Sequence, residues 1–435
     1  MSHPTHIIER IRLLYKTREE RLLPVPWCED FSFHLNDIFT RLKIVGKEKT
    51  RGTLNDEITN MTGIFKAHKD CQKPRTVLIE GEPGIGKTTY CQKLAYDWAT
   101  KQEEWDESFP EIEVLLLLRC HDITSDIWEA IDEQLLPEDV DNEAKENFFK
   151  FIRENQSKVL LVLDGLDEAD PSKLAMYINL AESKVLPDCH IVLTSRHEAG
   201  QKVGRYCDTL WEIVGFTEED ARSFILRYFK NMEHLAEKLL EKLRPSDELS
   251  EEWETESGDL TELSTNPMNT ALLCVLCEDF EGVFPTNRTQ LYIEIVRCIL
   301  RRYEKKSGLS SNNEDLITVY KEELMHLGCL ALESLLKRDL YVYIEGHEFD
   351  CNTSILTKFG FLSIQTGGSK RKPCTRYGFL HKSFQEFFSA FYLAFEMFNG
   401  EIDCDSVGSV EWCWTLVKNL NLRIFEDCQR PAKDP

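Results

Sequence analysis

The chain predicts an α/β fold: a parallel sheet with helices on both faces, followed by a helical domain and a winged-helix domain. Three observations predict it. Short apolar runs at 77–79, 112–118, 159–163 and 190–194 alternate with amphipathic helical stretches, and strands covered on both faces by crossover helices read as such unbroken runs. The first run, Val77-Leu78-Ile79, leads directly into Gly81-Glu82-Pro83-Gly84-Ile85-Gly86-Lys87-Thr88. That octapeptide fits G-x-x-x-x-G-K-[ST] in the strand-to-helix setting of a phosphate-binding loop. After Gly215 the alternation stops, and the chain reads as helices and then a hairpin.

Taken in order, Ile7, Ile11 and Leu14 recur at helical spacing until Pro24 and Pro26 break the pattern, which makes one short helix, too little for a core of its own. In the loop, Gly81, Gly84 and Gly86 let successive backbone N–H groups turn inward on an anion. Lys87 reaches the β/γ-phosphates, the Thr88 hydroxyl ligates Mg²⁺, and the helix opening at Lys87 turns its positive end to the same place. The run Val159 to Leu163 then delivers Asp164 at its C-terminal end, where open α/β sheets bind ligands, so Asp164 can hold Mg²⁺ opposite Thr88.

Asp167 and Glu168 follow within one turn; they can orient or deprotonate an attacking water, with solvated turn acids as the alternative. The 112–118 run lies between the phosphate loop and the metal acid, an order that favours NTPases activating water over small-molecule kinases. Arg196, ending Leu193-Thr194-Ser195-Arg196, can contact a γ-phosphate; an ordinary surface arginine is the alternative. Asp208 to Val214 reads as a fifth strand, and Thr217 with Glu218, Glu219 and Asp220 as a capped helix start.

Further along, the acidic stretch 245–262 reads as a solvated loop. Helical patterns cover 286–306 and 313–337, and the runs 360–365 and 377–380 form a hairpin around Thr366-Gly367-Gly368-Ser369. Cys274 and Cys277 sit in an apolar helical run without a second pair, which favours core packing over zinc. Lys370-Arg371-Lys372 reads as a solvated hairpin tip, and Glu323 with His326 as a solvated helix face.

Composition narrows the partners. With 76 acidic against 52 basic residues the formal charge is -24, so nucleic acid and anionic membrane are poor partners. No stretch is apolar enough to span a bilayer, no signal-peptide core opens the chain, and fifteen scattered cysteines fit a reducing compartment. A cytoplasmic protein is expected.

The set Glu80 to Thr89, Leu161 to Ala169 (L-V-L-D-G-L-D-E-A) and Leu193 to Arg196 resembles the NACHT subfamily of STAND P-loop NTPases, the switch module of NOD-like receptors. Leu263 to Pro267 and Phe379 to Phe387 resemble two further motifs of that family, in the family's order. The resemblance implies bound ATP or ADP with Mg²⁺, held by Gly81, Glu82, Pro83, Gly84, Ile85, Gly86, Lys87, Thr88 and Thr89. It implies Pro267 against adenine, His381 on the β-phosphate of ADP as a closed-state latch, Arg196 as γ-phosphate sensor, and Asp167 and Glu168 beside the metal. Phe39 to Gly46 resembles, more faintly, the stretch lining the base pocket. His197 stands where the family usually has proline.

On this pattern residues 1–45 are an N-terminal helical or linker segment, 46–215 the NACHT P-loop NTPase domain and 216–284 a first helical domain. Residues 285–400 are a winged-helix domain, and 401–435 begin a second helical domain or a tail. Neither a full effector domain nor leucine-rich repeats fit within the chain. The implied function is an ATP/ADP signalling switch that opens and self-associates on exchange in innate-immune-like signalling, with slow hydrolysis. The alternatives are a turnover ATPase and a nucleotide-binding scaffold that does not hydrolyse.

Overall fold

In the computed structural model the described residues are 3–22, 32–47, 54–58, 61–82, 84–101, 105–243, 263–283, 288–309, 315–336, 341–343, 351–369, 372–379 and 382–399. Pro83, the stretch 245–262, Lys370 and Arg371, His381 and the segment after 399 lie outside them. The described residues fall into two compact units, one holding those up to 230 together with 264–270, the other holding the rest.

The first unit is a seven-stranded sheet. Its strands are β1 (Lys43–Lys47), β2 (Leu54–Ile58), β3 (Thr76–Gly81), β4 (Val114–Arg119), β5 (Val159–Asp164), β6 (His190–Ser195) and β7 (Thr209–Gly215). They lie in the order β2-β1-β7-β3-β6-β5-β4. The five strands from β3 onward pair in parallel, as the alternating pattern predicts. Val77 to Ile79, Val114 to Leu118 and Val159 to Leu163 are all fully buried, the reason their runs carry no polar alternation.

Two antiparallel strands that periodicity does not reveal, β1 and β2, extend the sheet beyond β7. Their sequences are short and rich in charge, in keeping with an edge guarded against further pairing.

The opposite edge is closed by side chains. Helix α1 (Thr5–Arg18) buries Ile7, Ile8, Ile11 and Tyr15. The Tyr15 hydroxyl accepts from the Leu117 backbone N–H at 2.7 Å and donates to the Leu115 carbonyl at 3.3 Å, taking the place of a neighbouring strand. The Gln134 amide does the same for Arg119, accepting from its N–H at 2.8 Å and donating to its carbonyl at 3.2 Å. Buried edge groups are thereby satisfied without an eighth strand.

Thr217 opens the helix Glu218–Tyr228 through a reciprocal capping box with Asp220, as its sequence predicts. The chain later returns to the sheet at 264–270, where the Phe216 N–H donates to Thr265 O at 2.7 Å. Gly215, at φ 106°, permits this approach: a β-carbon there would collide with the Thr265 carbonyl oxygen.

The second unit is mainly helical, with a three-stranded antiparallel sheet of Tyr341–Tyr343, Lys372–Phe379 and Leu362–Ser369, the middle one being Lys372–Phe379. The stretch 366–369 is not the hairpin turn that the sequence predicts. It continues the strand, with Gly367 opposite Cys374 and Ser369 opposite Lys372; glycines mark turns often, but here the neighbouring middle strand supplies each of them a ladder partner. An aromatic cluster forms the core, with Phe361 against Phe388 at 4.9 Å and Tyr292 against Phe384 at 5.4 Å between ring centres. Cys274 and Cys277 are buried, the Cys277 thiol donating to the Leu235 carbonyl, and burial pushes the Cys277 thiol up to about 11. No helix among the described residues is long and apolar enough to cross a membrane.

Candidate nucleotide site

The C-terminal ends of β3, β5 and β6 converge, and Lys87, Thr88, Asp164, Asp167 and Arg196 meet there. The loop after β3 runs through Gly84 and Gly86, at φ 73° and 104°, into helix α2 (Lys87–Thr100). These left-handed turns point backbone N–H groups toward one side, and only glycine adopts them freely. Leu42 packs against Gly86, and Met268 against Gly84.

Lys87 folds back across the loop, donating to Gly81 O at 2.6 Å and Glu82 O at 3.0 Å. Packing around the ammonium lowers its pKa to about 8; Asp167 opposes the shift and Arg196 adds to it. Both of its acceptors are neutral carbonyls, which an anionic phosphate oxygen outcompetes for a cation.

Asp164 occupies the end of β5 and is buried. Its Oδ1 accepts from Thr194 Oγ1 at 2.8 Å and lies 3.4 Å from Thr88 Oγ1. Its Oδ2 accepts from Arg119 Nη1 at 2.5 Å. Thr88 and Asp164 thus present two hard oxygen donors beside the phosphate loop, a set that fits Mg²⁺, which uses one or two protein oxygens and completes its shell with water and phosphate. No group of three or more His, Cys, Asp or Glu side chains among the described residues makes an all-protein metal cage.

Asp167 and Arg196 face each other across β5 and β6, with Arg196 Nε 2.9 Å from Asp167 Oδ2. Glu168 is exposed, with His121 Nδ1 3.8 Å away. Pro267 begins the helix Pro267–Asp279, and the adjoining Met268 N–H donates to Gly84 O at 3.2 Å, which brings this motif onto the phosphate loop. Ile85 is buried, Thr88 exposed and Thr89 half-buried. Pro83 and His381 lie outside the described residues.

Other side chains at the site escape a motif reading. Thr194 and Arg119 both grip Asp164, and Arg119 is in register with it across the β4/β5 ladder. The only sequence signal for Arg119 is a cation closing an otherwise apolar run. Behind the loop, His197 Nδ1 lies 3.0 Å from Glu80 Oε2 and its Nε2 3.2 Å from Glu212 Oε1, while Lys47 Nζ donates to Glu80 Oε2 at 2.9 Å. Burial disfavours a charged ring here, but the hydrogen bonds to Glu212 and Glu80 outweigh it and raise the His197 pKa to about 9.

Comparison with known proteins finds relatives in sequence. Residues 75–232 match the NACHT domain model. Protein NLRC5 of Ictalurus punctatus is 26% identical over 359 residues, covering 73% of this chain and 19% of that protein. NLR family CARD domain-containing protein 4 of Bos taurus is 23% identical over 374 residues, covering 86% of this chain and 33% of its own. Nucleotide-binding oligomerization domain-containing protein 2 of Homo sapiens is 26% identical over 343 residues, covering 73% and 31%. The chain therefore spans about a fifth to a third of the length of these relatives. Among solved structures, the Aeropyrum pernix Orc1 protein in complex with DNA aligns over 76% of this chain and 90% of that one, at 11% identity and a TM-score of 0.34. With the loop after β3, Asp164 and the Thr194–Arg196 strand end gathered at one sheet edge within the matched span, residues 75–232 form a NACHT domain, and the chain is similar to proteins of NOD-like receptor type.

Proposed function

We propose that the chain is an adenine-nucleotide switch of cytoplasmic, innate-immune-like signalling, in which exchange of ADP for ATP opens the molecule and promotes self-association, with slow hydrolysis resetting it. One observation carries the reading: both cations at the phosphate site are held by protein oxygens that phosphate oxygens can replace. Lys87 rests on two loop carbonyls, and Arg196 on Asp167. Lys87 then serves the β-phosphate of either nucleotide, whereas Arg196 gains a partner only when a γ-phosphate arrives.

When bound, Mg²⁺ would supply charge neutralisation between the phosphates, with Thr88 and Asp164 holding it. Asp167 keeps Arg196 oriented, Glu168 stands open to solvent as a candidate base for water, and Pro267 offers its ring to the adenine. The three-stranded sheet and its helices serve as the winged-helix element of the switch. Driving such an equilibrium from 1:99 to 99:1 needs about 5.5 kcal/mol of differential binding, within reach of a few charge-assisted phosphate contacts.

The test is to identify the nucleotide that copurifies and to measure assembly mass in ADP and in a non-hydrolysable ATP analogue. ADP in the purified protein and a larger species with the analogue are expected. Equal mass in both, with rapid multiple turnover, would instead mark a turnover ATPase.

A further inference from the structure

We propose that Arg119 is a positioning residue that couples the N-terminal helix to divalent metal at Asp164, so that Glu19 sets how strongly Mg²⁺ tightens nucleotide binding. The inference rests on the reading that the loop takes a Mg²⁺-nucleotide.

Arg119 ends the edge strand β4 directly beside Asp164 at the end of β5. One terminal nitrogen, Nη1, donates to Asp164 Oδ2 at 2.5 Å, and the other, Nη2, donates to Glu19 Oε2 at 3.0 Å. Glu19 follows α1 at once: its backbone N–H donates to Tyr15 O at 2.9 Å, and its Oε1 accepts from Arg18 Nε at 2.7 Å. The side chains of Glu19 and Asp164 are only 1% and 5% exposed. A single guanidinium therefore lies between two carboxylates that have almost no water to solvate them. One belongs to the site of the metal, the other to the helix that closes the sheet edge.

Buried carboxylates demand a partner. Arg119, on Oδ2, and a divalent cation on the Thr88 side, at Oδ1, draw on the charge of one carboxylate, so occupancy of one weakens the other. Glu19 decides how easily Arg119 yields. With its carboxylate present, a guanidinium loosened from Asp164 keeps a buried ionic partner; without it, Arg119 has only Asp164 to pair with and competes harder. Metal at Asp164 and a firm Glu19–Arg119 pair thus favour each other, and the coupling is reciprocal. The other end of the relay is anchored, since the Tyr15 hydroxyl pins α1 to the backbone of β4, and Arg10 pairs with Asp139 through bonds of 2.7 and 3.0 Å.

The experiment measures ADP affinity by calorimetry in Mg²⁺ and in EDTA for the wild type and for Glu19→Gln, together with hydrogen exchange of the α1 amides in the wild type under both conditions. Glu19→Gln is expected to lower the ratio of the two affinities by about fivefold or more, the lower end of ordinary site coupling, with the affinity in EDTA little changed. The wild-type α1 amides are expected to exchange more slowly in Mg²⁺-ADP than in ADP with EDTA. An unchanged ratio alongside Mg²⁺-dependent binding would overturn the coupling alone. So would identical α1 exchange in the two conditions, a result that does not depend on the variant folding. A wild type that binds no ADP in either condition sinks both this inference and the nucleotide reading beneath it.

Discussion

Asp167 holds Arg196 twice: its Oδ1 accepts from the Arg196 backbone N–H at 3.0 Å, and its Oδ2 pairs with Nε at 2.9 Å. The backbone bond fixes where β6 ends relative to the turn after β5, and the side-chain pair aims the guanidinium. An arginine so placed has one arm committed and its terminal nitrogens available to a phosphate oxygen.

Arg196→Ala should therefore separate the two nucleotides. ATP affinity is expected to fall about tenfold, the worth of one charge-assisted contact, while ADP affinity changes less than about twofold. Parallel titrations with ADP and a non-hydrolysable ATP analogue check this; equal losses for both would mean that Arg196 does not read the γ-phosphate.

Lys87→Ala should abolish binding of both nucleotides, by about a hundredfold or more, because among the described residues Lys87 is the cation that rests on the loop carbonyls. The unliganded fold should lose little, since a half-buried ammonium resting on neutral carbonyls is a poor source of stability. Thermal melting with and without ADP is the measurement, and the wild-type upward shift should vanish in the variant.

Tyr15→Phe removes one oxygen that serves two backbone groups of β4. Stranding the buried Leu117 N–H should cost about 1–3 kcal/mol, with Cm lowered and m unchanged in urea unfolding. A cost below about 0.5 kcal/mol would show that water takes over the edge.

His197 makes stability depend on pH in the alkaline range. Its folded pKa, raised to about 9 from an ordinary 6.5, means that the folded state holds the proton more tightly than the unfolded chain. The stabilisation is fully present below about pH 6.5 and is lost as pH rises through about 9. Between pH 6 and 10 the wild type should lose about 3 kcal/mol more than His197→Gln, the worth of the shift from 6.5 to about 9 at about 1.4 kcal/mol per pH unit. Urea unfolding at the two pH values decides it, and equal losses would mean that the ring is neutral in the cluster.

Much of the architecture is legible because its signals are local. A glycine-rich loop after an apolar run, an acid ending another and apolar runs in four strands each follow from what neighbouring residues must do, so the parallel sheet and the meeting of Lys87, Thr88, Asp164 and Arg196 can be read in advance. Strands β1 and β2 are hidden because edges carry charge, and the 366–369 strand because glycine speaks for turns unless a partner strand overrides it.

What tertiary structure alone decides is which distant charges share a burial site. The amino-acid order determined that a glycine-rich loop with Lys87 and the carboxylate of Asp164 would face one sheet edge. Only folding brought Glu19 to Arg119, Tyr15 to the edge of β4, and His197 between Glu80 and Glu212. The reason is physical: periodicity records which face of an element is dry, whereas a buried charge takes its partner from whatever element packs against it, and that choice leaves no repeating mark along the chain.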